Sequence, residues 1–215
     1  MGKGGNFTHL FPSNNTANQT NPTSVAKRAL FWFVLFFFLL YLKYRPYEQP
    51  AHIVHGLFEY IFTLYHFVIN QTIGIVHEAG HGVCYLLPCP TFIMVLNGTL
   101  FQWLFPMGIA WYYKKRHNMT GYWLGLFVLG VSMDYTAWYI STAPEGAYVP
   151  AAKSFLGVGG LHDFHYILTT LGLLAYSSAI SMMLKILSLL LMFRSVFGLF
   201  SIAYPGNKKR LRRVG

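Results

Sequence analysis

Residues 91–113, TFIMVLNGTLFQWLFPMGIAWYY, and residues 120–142, TGYWLGLFVLGVSMDYTAWYIST, are two long apolar runs separated by a short link that carries Lys114-Lys115-Arg116-His117. Each run exceeds the ~20 residues that take an α-helix through a bilayer, and each is almost free of charge. Peptide N–H and C=O groups cannot go unpaired in lipid. Successive apolar runs joined by short polar links therefore predict an all-α fold, a polytopic transmembrane helical bundle.

Toward the N-terminus, Thr72 to Leu87 is apolar around His77-Glu78-Ala79-Gly80-His81, and Pro88 and Pro90 close it. Before it, Ala51 to Asn70 carries His52, His55, Glu59 and His66 in an otherwise apolar helix. Ala29 to Leu42 is a shorter run, which flanking Tyr and Lys side chains extend into a first span. It ends in Lys43, Tyr44 and Arg45 with no small-residue cleavage site, so it reads as a signal anchor.

Toward the C-terminus, the loop from Ala143 to Gly160, rich in Pro and Gly, leads to His162-Asp163-Phe164-His165. A helix is expected over Tyr166 to Leu184. Ile186 to Tyr204, flanked by Lys185 and interrupted by Arg194, reads as a segment lying along the interface. The sum is about six spans. Residues 1–28 form a polar, disordered leader, 29–204 the helical membrane domain, and 205–215 a basic tail.

Composition agrees with this reading. The chain of 215 residues is 54% hydrophobic and 18% aromatic with only 10% charged residues, too little polarity to cover a soluble domain. A net charge of +10 raises nucleic acid as a partner, but the cations sit at the borders of apolar runs. The positive-inside rule accounts for them, and no nucleic-acid contact is expected. It also places the Lys114 to His117 link and the C-terminal tail on the cytoplasmic side, with the Ala143 to His165 loop beginning outside. Cys84 and Cys89 are the only cysteines and read as two free membrane thiols, a bridge requiring that their end of the segment face an oxidising space.

Few acids are present, and Glu59, Glu78 and Asp134 fall inside apolar runs, where an ionisable group points to function. Glu78 lies within HEAGH. Residues four apart on a helix are ~40° apart around the axis and ~6 Å along it, so His77 and His81 can offer imidazoles to one ion. An HExxH string arises by chance in about 0.7% of chains with this His and Glu content, and hydrogen bonding between helices alone has no need of the spacing. In an open zinc site the metal acidifies a bound water, and the neighbouring carboxylate takes its proton. Such a site requires a third ligand. The sequence offers Asp134, in the middle of an apolar helix, or the trio His162, Asp163 and His165.

At HEAGH the chain resembles the site-2-protease class of intramembrane zinc metallopeptidases, including the M50B-like membrane peptidases. The resemblance implies Zn2+ as cofactor, His77 and His81 as ligands, Glu78 as general base, and Asp134 as the ligand from a later helix. It implies a lipid-embedded hydrolase that cuts membrane-anchored protein substrates. In that class the later Asp commonly follows an Asn-Pro and precedes a Gly, whereas here it stands in Met133-Asp134-Tyr135. The HDFH element is the alternative source of the third ligand. Two other functions fit the same residues. One is a lipid hydrolase or a di-metal hydroxylase that adds HDFH, His52 and His55; the other is a non-enzymatic assembly subunit with a structural or vestigial metal site.

Overall fold

The computed structural model describes residues 22–45, 56–149 and 160–205. His52, His55, most of the leader and the basic tail lie outside these residues. The chain is helical: α1 (Pro22–Tyr44), α2 (Leu57–Leu86), α3 (Thr91–Lys115), α4 (Met119–Ser141), the short α5 (Asp163–Thr170) and α6 (Ser177–Ala203). A two-stranded antiparallel pair, β1 (Tyr148–Val149) and β2 (Gly160–Leu161), closes the loop before α5. Pro22–Tyr44, Thr91–Lys115 and Leu174–Ala203 are each long and apolar enough to cross a membrane, fewer than the expected six.

The core is apolar, built around Phe31, Phe38, Phe127, Val131 and Met192, but it is joined by buried hydroxyls, and large aromatics face outward. Trp32, Phe33, Phe105, Trp111, Phe193 and Phe197 are exposed, while Ser132, Thr136, Ser177, Ser181, Ser188 and Ser195 are buried. Small hydroxyl residues let helices approach closely and bond across the gap, which is how helices associate where lipid removes the hydrophobic drive. Ser181 Oγ on α6 donates to Ala137 O on α4 at 2.6 Å. The α4–α6 pair is the most extensive interface of the bundle, with α3 on the other side of α4 and α2 against α3.

Five expectations change. Residues 22–28, expected to belong to the polar leader, are helical, because α1 begins at Pro22, a residue suited to a first turn. Of the two segments expected over 51–70 and 72–87, residues 57–86 form one continuous helix, α2. The polar residues at their junction do not break it, since Thr72 Oγ1 donates to Val68 O of its own helix at 2.9 Å. The predicted helix over 166–184 ends instead at Thr170. Gly172, at φ +69, forms a Schellman turn in which its N–H bonds Thr169 O and the Leu173 N–H bonds Leu168 O. Consequently the interfacial segment expected from Ile186 is part of a continuous α6, with Lys185 and Arg194 within it. Finally, Cys84 and Cys89 form a disulfide where free thiols were expected, as the prolines after α2 fold the chain back and bring the two Cα atoms to 5.2 Å.

Candidate metal centre

His77 and His81 project from one face of α2 toward α3, and Asp163 meets them from the first turn of α5. Their ligand atoms converge. His77 Nε2 lies 2.8 Å from Asp163 Oδ2, His81 Nε2 lies 3.3 Å from the same oxygen, and the two Nε2 atoms are 3.1 Å apart. A tetrahedral zinc with bonds of 2.0–2.1 Å separates its ligands by about 3.3 Å, so the three atoms already stand near coordination spacing.

The opposite edge of each ring decides what that convergence means. His77 Nδ1 faces Gln102 Oε1 at 3.0 Å, and His81 Nδ1 faces the Met94 carbonyl at 2.8 Å. The Gln102 amide is itself oriented, because its Nε2 donates to Ser132 O at 3.1 Å and to Thr136 Oγ1 at 3.4 Å. Both Nδ1 atoms thus bear hydrogen and donate, which leaves both Nε2 atoms as bare lone pairs beside a carboxylate. Three acceptors with no donor among them are mutually repulsive. A bound metal cation relieves that repulsion, as does a proton shared with Asp163, and ring N–H groups held by carbonyl and amide oxygens are the usual outer support of histidine metal ligands.

Local structure explains the placement. Pro106 has no N–H to give the Gln102 carbonyl four residues earlier, and Ser132 Oγ supplies that bond instead at 3.1 Å, fastening α3 to α4 beside the site. Gly98 lies under the rings: a Cβ there would stand 2.7 Å from His77 Nε2 and 2.6 Å from His81 Nε2. Gly80 admits a neighbouring backbone, meeting Asn97 on α3, whereas Gly82 has nothing near it.

The HDFH element divides its roles. Asp163 alone joins the cluster. His162 caps α5 by accepting from the His165 N–H at 3.3 Å, stacks on Tyr139 with ring centroids 4.3 Å apart, and reaches Thr142 Oγ1 at 3.1 Å. Burial pushes His162 down to about 4, so it stays neutral and its Nδ1 remains an acceptor. His165 Nδ1 donates to Ala143 O at 2.8 Å, pinning α5 to the end of α4.

Asp134, the other choice for third ligand, is not part of this cluster. Tyr41 on α1 donates to its Oδ2, and Ser188 on α6 donates to its Oδ1 at 3.2 Å. It ties three helices together rather than facing the histidines. Glu78 is exposed, next in the chain to His77. Among the described residues, His77, His81 and Asp163 form the single group with metal-ligand spacing. Sequence reasoning missed Gln102, the Met94 carbonyl and Gly98. Only Gln102 carried a signal, as an amide inside an apolar run, by the same cost argument that singled out Asp134.

No protein-family model, curated protein or solved structure matches the chain.

Proposed function

We propose that this protein is a membrane-embedded zinc metallopeptidase that hydrolyses membrane-anchored protein substrates within a multi-pass helical bundle. One observation carries the reading: His77 Nε2, His81 Nε2 and Asp163 Oδ2 converge while both Nδ1 atoms are committed elsewhere, in the HExxH frame that also supplies Glu78. Two imidazoles and one carboxylate suit zinc in an open, catalytic arrangement. A zinc ion held there supplies Lewis acidity, lowering the pKa of a bound water toward 7 and polarising a carbonyl.

The residues of the chain do the rest. His77, His81 and Asp163 fix the reaction centre, and Gln102 and the Met94 carbonyl hold the rings in the binding tautomer. Glu78 accepts the proton of the attacking water and returns it to the departing amine. Its exposure leaves it open to an arriving chain. The substrate segment must unwind first, because helical carbonyls are already bonded and shielded.

Glu78→Gln separates chemistry from binding. Purified wild type and variant should carry the same zinc, about one per chain, by plasma mass spectrometry. Membranes from cells bearing wild type should show new peptide termini in membrane-anchored proteins, and those termini should vanish with the variant. Turnover that survives Glu78→Gln would sink the mechanism.

A further inference from the structure

The two ends of the bundle differ in chemistry, and the metal centre belongs to one of them. At 1.5 Å per residue, His81 lies about 8 Å along the axis from Leu86, the last residue of α2. Met94, which holds His81, is in the first turn of α3; Tyr139 is in the last turn of α4; and Asp163 opens α5. The end of α2, the start of α3, the end of α4 and the start of α5 therefore meet at the site. The Cys84–Cys89 disulfide spans the link from α2 to α3 at this same end, with Asn97 Nδ2 reaching both Gly80 O and Cys84 Sγ, at 3.2 and 3.4 Å.

The far end collects the cations. Lys114, Lys115 and Arg116 close α3. Arg28 near the start of α1 donates to Ala203 O at 3.5 Å and lies over the Tyr204 ring, placing the start of α1 beside the end of α6. Arg194 lies over Trp123, 4.6 Å from the ring centroid, which brings the start of α4 to that end as well. Of the described Lys and Arg residues, Lys27, Arg28, Lys114, Lys115, Arg116 and Arg194 are there, against Lys43, Arg45 and Lys185 toward the site.

Two independent rules now select one orientation. Disulfides persist in oxidising compartments and not in the cytosol. Lys and Arg flanking membrane helices favour the cytoplasmic side. The disulfide end and the cation-rich end are opposite, as both rules require.

We infer that the metal centre faces the exoplasmic, oxidising side of the membrane, and that its substrates are membrane-anchored proteins cut next to the bilayer on that side, releasing their ectodomains outward. The choice of substrate rests on the peptidase reading above; the orientation does not. Each cut consumes one water, whose hydroxyl joins the carbonyl carbon as the C–N bond breaks and whose proton goes to the new amine.

Three measurements on the full-length protein in cells test this. In intact cells a membrane-impermeant maleimide should label Tyr148→Cys, a site 75% exposed beside α5, and should leave Arg116→Cys unlabelled until the membrane is opened. The reverse pattern overturns the inference. Wild-type protein denatured without reductant should take up no alkylating agent, and after reduction should take up two equivalents, at Cys84 and Cys89. Free thiols in freshly prepared protein also overturn it. Lastly, soluble fragments of membrane proteins should accumulate outside cells expressing wild type and not outside those expressing Glu78→Gln. Fragments found only in the cytosol overturn the inference while sparing the peptidase reading. The expected labelling with no fragment in either compartment overturns that reading and the substrate assignment, and leaves the exoplasmic metal centre standing.

Discussion

Asp134 and Asp163 show how far single residues can be read. Both are acids that chain position puts near apolar helices, and the membrane cost of a carboxylate marks each as needing a partner. That cost is met equally by a metal or by hydroxyl donors, so the sequence does not separate them. Three-dimensional placement does: Tyr41 and Ser188 serve Asp134, and His77 and His81 face Asp163. Asp163→Ala should therefore empty the site of zinc, whereas Asp134→Asn should leave zinc at wild-type content and lower thermal stability. Metal analysis beside a melting curve checks both, and a zinc-free Asp134→Asn protein would return Asp134 to the ligand set. Gly98→Ala makes a sharper demand. Its methyl enters the space of both Nε2 atoms, so zinc should be lost with helicity by circular dichroism unchanged.

At the scale of elements, apolar length announced most helices and misjudged their ends. The i,i+4 pair of HEAGH was legible because helical geometry alone puts His77 and His81 together. The end of α5 was not, because Gly172 within an apolar run looks like a tolerated helical glycine until its φ of +69 is known. Nor did the sequence disclose that Pro106 and Ser132 act as a pair across α3 and α4. Ser132→Ala should leave the buried Gln102 carbonyl unsatisfied and cost about 1–3 kcal/mol. In a Pro106→Ala background, which restores an N–H to that carbonyl, the same change should cost distinctly less. Equilibrium unfolding in detergent gives this double-mutant cycle, and equal costs in both backgrounds would separate the two residues.

For the molecule as a whole, composition correctly indicated a helical chain suited to lipid, since the described residues are largely helical and three of their helices are long and apolar enough to cross a membrane. What composition does not reveal is how far the bundle depends on its site. The three ligands come from α2 and α5, two elements that meet little except through α3 and this cluster, so an ion there cross-links the fold. A ligand that binds only the folded state stabilises by mass action, and at a thousandfold excess over its Kd the gain is about 4 kcal/mol. Chelation near pH 7 should accordingly lower the melting temperature of the wild type by several degrees, and added zinc should restore it. Protons compete for the same three atoms, so the chelator-sensitive part of the stability should shrink as the solution is acidified. Asp163→Ala should melt at one temperature with or without chelator. A wild type whose melting is equally indifferent to chelator at every pH would mean that the three acceptors share a proton and not a metal.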